Sequence, residues 1–273
     1  KNIQNTLELF KINLLEGKVD KSEVSFEFKS ALSFQLEKYI KVKNLRVNGN
    51  GNIHFLNIKH KIDTSELKKI FINYNDSFQI TDTKIKFLLD NNVNEVELEG
   101  LVNLVNEYEN FKSKLIVDKK KNNTIFDTEI DIKSSIIQLQ SLNYRKEIND
   151  PANLRFKGNR KKNEGYNFEI VEFKESNNLI LVKDIEFNKK FQVNNLKELI
   201  VRTMHNNSVN NDFKLKKNKK IKAQGEIYDV RPLLASLNNG DKKNTLSKKF
   251  NGEFQANIKE VITDKQINLL KFS

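Results

Sequence analysis

Apolar and polar residues alternate along most of this chain, and one short stretch breaks the alternation. Val24, Phe26 and Phe28 fall on one side of an extended strand while Ser25, Glu27 and Lys29 fall on the other. Leu32, Phe34 and Leu36 repeat the pattern, Ile40 and Val42 follow, and Leu45 and Val47 lead on. A period of two is the pleat of a β-strand, not the 3.6 of a helix. It returns in Ile53, Phe55 and Ile58, in Ile70, Ile72 and Tyr74, and in Ile85, Phe87 and Leu89. The second half repeats it in Leu154 and Phe156, in Tyr166, Phe168 and Ile170, in Leu179 and Leu181, in Phe191 and Val193, and in Phe213 and Leu215. Clusters of Asn, Lys and Gly separate the runs. Asn48-Gly49-Asn50-Gly51-Asn52 reads as a hairpin turn, because Asn-Gly supplies the positive φ that tight hairpins require. Thr64 to Lys69 could start a short turn, but Ile70, Phe71 and Ile72 favour a strand, as do the β-branched Ile200 and Val201 after Leu196.

The break lies at Asp229 to Leu237. Asp229 is a good cap for the free amides of a first helical turn, and Pro232 sits where a missing N–H costs nothing. Val230, Leu233, Leu234 and Leu237 share a helical face, and Asn238-Asn239-Gly240 ends it. The expected element is one short helix near 230–237 after a strand that ends at Gly225. Parallel strands need crossover connections, and no further helices offer them, so the strands are expected to be antiparallel. No linker divides the chain, Asn149-Asp150-Pro151 being the one candidate joint, and residues 1–273 read as one continuous β architecture.

An apolar sheet face has to be covered. With covering helices missing, a sandwich, a closed barrel, or a sheet curled around a ligand groove remain. Hydrophobic residues make up 37% of the 273 and mean hydropathy is −0.63, low for a closed core of this size and favouring a single apolar layer. In a groove the lining would be Val24, Phe26, Phe28, Leu32, Phe34, Leu36, Ile53, Phe55, Ile85, Phe87, Leu89, Phe168, Ile170, Phe213 and Leu215.

The formal charge of +12 suits an anionic partner, membrane or nucleic acid. Arginine, the residue of bidentate base and phosphate contacts, is scarce, and a lysine- and asparagine-rich composition follows equally from AT-rich codons. No nucleic-acid partner is expected. With no cysteine, disulfide and thiolate chemistry are excluded. No apolar run approaches the roughly 20 residues of a membrane span. The chain begins at Lys1 and reads as a fragment whose anchor would lie upstream.

Catalytic signatures are missing. His54 and His60 would lie on one strand face about 20 Å apart, too far for one metal. Gly49 and Gly51 lack the strand-to-helix context of a phosphate loop. Glu95, Glu97 and Glu99 alternate as the wet side of a strand. No enzymatic activity, cofactor or metal is expected.

The run Ile221-Lys222-Ala223-Gln224-Gly225-Glu226-Ile227-Tyr228-Asp229-Val230-Arg231-Pro232-Leu233-Leu234 resembles a segment of the AsmA-like superfamily, most closely its YhdP branch, with TamB a more distant relative. The strand that would follow, Phe250 to Val261, resembles the resumption of the sheet in such proteins, and residues 166–273 carry the likeness best. The resemblance implies a long twisted antiparallel sheet curled into an open hydrophobic groove. It also implies a periplasmic segment, anchored in the inner membrane of a Gram-negative bacterium by a part outside this chain, that holds phospholipid acyl chains and helps move phospholipid between inner and outer membranes. Lysines along the rims would attract phosphates, and the helix with Leu233, Leu234 and Leu237 would bracket one sheet edge. Two other classes stay open: a structural or adhesive extracellular β-protein, and a nucleic-acid-binding β-domain.

Overall fold

The computed structural model describes residues 19–60, 65–75, 77–105, 107–161, 164–189, 192–218, 220–238, 253–263 and 269–272. Phe191 and the run 239–252 lie outside them, and with them the expected helix stop at Asn239-Gly240 and the start of the final resemblance. The strands are β1 (Val19–Glu37), β2 (Lys41–His60), β3 (Ser77–Leu89), β4 (Val93–Asn103), β5 (Tyr108–Asp118) and β6 (Asn123–Asp131). A short hairpin follows, β7 (Ile137–Leu139) and β8 (Tyr144–Lys146). Then come β9 (Ala152–Lys161), β10 (Gly165–Glu175), β11 (Asn178–Phe187), β12 (Val193–His205), β13 (Ser208–Lys217), β14 (Ile221–Asp229), β15 (Phe254–Ile262) and β16 (Leu269–Phe272). All except β7 and β8 form one sheet in chain order, which does not close into a barrel: β1 and β16 are its edges.

Each pairing is antiparallel except β14 with β15, which run parallel. This corrects the expectation of a purely antiparallel sheet. A parallel pair needs a crossover, and the crossover carries the helix α2 (Arg231–Asn238). The stretch that breaks the alternation is therefore the return path between two parallel strands. A second helix, α1 (Ser65–Ile70), stands where a strand was expected at Ile70. Its last turn carries Lys68 and Lys69, which suit a helix C-terminus. Phe71 then bridges to Ile137 instead of continuing a strand.

Asn48 to Asn52 is not a turn. It lies in the middle of β2, opposite Glu27 to Ala31 on one side and Lys84 to Leu88 on the other. The glycines there serve close packing. A Cβ at Gly51 would stand 2.6 Å from the Cα of Phe28 and 2.1 Å from the Glu27 carbonyl oxygen. Gly225, expected to end its strand, likewise sits inside β14, where a Cβ would meet the Asp212 carbonyl oxygen at 2.3 Å. The actual β1–β2 turn is Lys38–Ile40, with Tyr39 and Ile40 both at positive φ (67° and 59°).

The hairpin turns at 38–40, 90–92, 118–122 and 218–220 and the connections at 161–165 and 188–192 gather at one end of the sheet. At the other end the connection from β6 to β9, residues 132–151, forms a strap. Its Ile137, Leu139, Leu142 and Tyr144 pack with Phe173 of β10, Leu154 of β9 and Ile180 of β11 on the apolar face. Ile137 is bridged to Phe71, and Asn143 donates to Asp229 at the end of β14 (2.9 Å). The chain from Ile137 to Asn143 spans at most about 20 Å. The sheet is curled and open, and the strap runs over its apolar face from the segment carrying Phe71 to the end of β14.

Candidate functional site

The apolar face of the curled sheet is the site. Register decides which side chains line it, because directly paired residues share a face. Phe87 pairs Val96, Val96 pairs Leu115, and Leu115 pairs Phe126. Phe126 pairs Gly158, which pairs Phe168, which pairs Ile185. The rings of Phe126, Phe156, Phe168 and Phe187 contact one another edge to face, with Phe126 and Phe168 centroids 5.3 Å apart. Gly158 makes room for them: a Cβ there would meet the Phe126 ring at 3.0 Å. Phe126, Phe156, Phe168 and Phe187 are only half-buried. Beyond the strap with its β7–β8 hairpin, which packs on one end of this face, no second sheet or helix layer covers it among the described residues.

Of the expected lining residues, Val24, Phe26, Phe28, Leu32, Ile53, Ile85, Phe87, Leu89, Phe168, Phe213 and Leu215 lie on this face, and Phe34 and Leu36 continue it along β1. Two do not. Phe55 pairs Ser25 and Thr81, and Ile170 pairs Lys157 and Lys183, so both point to the polar side. In each case a β-bulge adds one residue and reverses the alternation: between Ile53 and Phe55 on β2, and between Phe168 and Ile170 on β10. The positive φ of Asp82 (46°) and Asp184 (50°) marks the matching irregularities on β3 and β11. Beyond each bulge Leu56 and Val171 take over the apolar side. Phe126, Phe156, Tyr166, Phe187 and Leu199 were not assigned to the lining. For Phe126 the signal was present in the run Thr124, Phe126, Thr128, Ile130.

The opposite face carries charge in register. Across β3, β4, β5, β6, β9 and β10 one row reads Lys84, Glu99, Lys112, Glu129, Arg155, Glu172. Its neighbour reads Lys86, Glu97, Lys114, Asp127, Lys157. Lys112 meets Glu99 and Lys114 meets Glu97, each at 2.9 Å, and Arg155 forks onto Asp127 at 3.2 and 3.0 Å. The hydrogen bond and charge of Lys114 hold the Glu97 carboxyl below its ordinary range. The long side chains of these rows border a shallow open cavity on this face. Exposed pairs of this kind contribute little stability. They fix strand order and register, since a slip by one residue would bring apolar residues into the charged rows.

The strap is tied down by buried polar groups. The Lys146 ammonium, fully buried, donates to the carbonyl oxygens of Lys133, Ser135 and Glu147 at 2.9, 2.8 and 2.9 Å, which uses all three of its protons. Burial lowers its pKa, with nearby carboxylates opposing. Asn210 and Asn211 donate to the Leu142 carbonyl oxygen, and Asn211 also accepts from the Asp229 amide. Asp229 is fully buried and takes two bonds from the Arg231 guanidinium (2.8 and 2.7 Å), one from the Arg231 amide (3.1 Å) and one from Asn143. Burial pushes its pKa up, but these donors outweigh burial and hold the carboxyl below its ordinary value. Asp229 therefore starts the helix as expected and also locks the strap. Leu233 and Leu234, expected to bracket one sheet edge, are 40% and 39% exposed; the side chain of Leu237 lies outside the described residues.

Among the described residues no group of three or more His, Asp or Glu side chains could hold a metal, and no helix is long and apolar enough to cross a membrane. Comparison with family models, with curated proteins and with solved structures finds no match for this chain.

Proposed function

We propose that the trough holds lipid acyl chains, and that this chain is a periplasmic segment of an AsmA- or YhdP-like protein that helps move phospholipid between inner and outer membranes. The observation that supports this reading is an apolar face on a curled, open sheet that leaves Phe26, Phe28, Leu32 and Phe34 exposed and Phe126, Phe156, Phe168 and Phe187 half-buried, with a balanced charged face behind it. A solvated apolar surface of this extent is costly unless something occupies it. An acyl chain would recover about 0.8 kcal/mol for each CH₂ removed from water, while its head group stays in solvent along the open side. The role is that of a carrier and not a catalyst, since the chemistry is burial alone.

Native mass spectrometry of gently purified protein tests the reading. Phospholipid should travel with the protein, and Phe26→Asp, on the trough face, should reduce it. Phe55→Asp, on the opposite face of the neighbouring strand, should not. Absence of bound lipid, or equal loss in both variants, contradicts the reading.

A further inference from the structure

The β1–β2 hairpin stands apart from the rest of the sheet. The last pair between β2 and β3 is Val47 with Leu89, so residues 41–46 of β2 pair with β1 alone. At about 3.3 Å per residue the hairpin projects roughly 20 Å past that pair. Every residue from Ser25 to Arg46 is exposed. Its apolar residues should be hidden in an isolated soluble protein, yet Leu36 is 61% exposed, Tyr39 96% and Ile40 85%.

The turn itself is unusual. Two consecutive positive φ angles are the province of Asn-Gly, and a β-branched isoleucine at φ 59° is strained. Strain of this kind, kept where a cheaper turn exists, accompanies function. Lys38 and Lys41 flank the tip, and Lys43 follows.

The charge at this end extends beyond the hairpin. Lys119, Lys120 and Lys121 occupy the β5–β6 turn, Arg160 and Lys161 end β9, Lys189 follows β11, and Lys217 and Lys220 flank the β13–β14 turn. Several of these are paired with local carboxylates, but basic residues outnumber acidic ones there. The strap end carries Glu107, Glu109, Glu147, Asp150 and Glu175 together with Lys133, Arg145, Lys146 and Lys174, so the two signs balance there. Among the described residues, basic side chains thus exceed acidic ones at the end from which the apolar hairpin projects.

We infer that the Tyr39–Ile40 tip is a membrane-docking finger that enters the interface of an anionic phospholipid bilayer, with the basic turn end facing the lipid surface. An aromatic beside an aliphatic residue suits the headgroup boundary, and lysines just behind it suit the negative surface potential. This deepens the trough reading, and rests on it, by naming the end through which lipid would enter: the opposite end is crossed by the strap.

The test is flotation of the purified protein with vesicles of phosphatidylcholine alone and of phosphatidylcholine mixed with an equal part of phosphatidylglycerol. The protein should bind the mixed vesicles and not the neutral ones, less tightly as salt is raised. The double variant Tyr39→Asp, Ile40→Asp should abolish binding, and Lys38→Gln and Lys41→Gln should each weaken it about fivefold. Circular dichroism should be unchanged, since these side chains touch little. The docking inference is overturned if the wild type ignores anionic vesicles, or if the tip variant binds them as well as wild type. It is also overturned if the tip substitutions change the oligomeric state in light scattering while vesicle binding persists. Lipid bound in the trough, read by native mass spectrometry, should be untouched by the tip variant, so the two readings can fail separately.

Discussion

The ring of Phe87 on β3 lies over Gly49 on β2, so close that a Cβ at Gly49 would stand 2.5 Å from the ring Cζ and 2.6 Å from the Lys29 carbonyl oxygen. The glycine is there to let an aromatic ring cross its backbone. Gly49→Ala should therefore destabilise the protein by about 1–3 kcal/mol through overpacking, read as a lower midpoint in urea. A neutral outcome would mean that Asn48 to Asn52 is free to bend as a turn.

Asp229 couples the helix, the strap and the end of β14. Removing a buried charge partner costs about 3–5 kcal/mol when the other charge is left behind. Asp229→Ala should approach the lower figure, because Arg231 is partly solvated. The pH dependence has a definite sign. The folded carboxyl titrates below its ordinary value, so its stabilisation is complete above about pH 5 and is lost as pH falls through the folded value. Asp229→Asn should lack that part of the acid sensitivity, measured as the slope of unfolding free energy against pH.

Lys146 tests the strap alone. Lys146→Met keeps the length of the side chain and leaves the carbonyl oxygens of Lys133, Ser135 and Glu147 without their donor. Each stranded group costs about 1–3 kcal/mol where no water replaces the ammonium. Amide hydrogen exchange across 132–151 should rise markedly, while exchange in β4 and β5 stays near wild type. Uniform acceleration everywhere would mean that the strap is not a separate unit.

How legible all this was in the sequence depends on which physical signal carried each feature. Alternation carried the sheet, because side-chain direction repeats every second residue, and it placed Phe26, Phe87 and Phe213 on their common face. It could not place Phe55 or Ile170: one extra residue in a bulge inverts the pattern, and nothing in the local run Ile53 to Ile58 distinguishes a bulged strand from a regular one. Gly49 and Gly51 misled because a glycine serves turns and close ring packing equally well, and the deciding ring, Phe87, lies far along the chain. The parallel pair β14–β15 was hidden for the same reason, since α2 read as an isolated helix until its returning strand was in view. The strap needed the Asn143–Asp229 contact, between residues with no sequence pattern in common. The charge rows show how Glu95, Glu97 and Glu99, rightly read as a wet face, also match lysines on the neighbouring strands.

The inversion at the β10 bulge gives the most direct test of the trough. Phe168 and Ile170 lie two residues apart in one strand but face opposite sides of the sheet. A photoreactive amino acid placed at each position, in separate proteins incubated with phospholipid vesicles and illuminated, should crosslink to phospholipid at 168 and not at 170. Equal crosslinking at both positions, or crosslinking at 170 alone, would contradict an apolar trough that receives lipid.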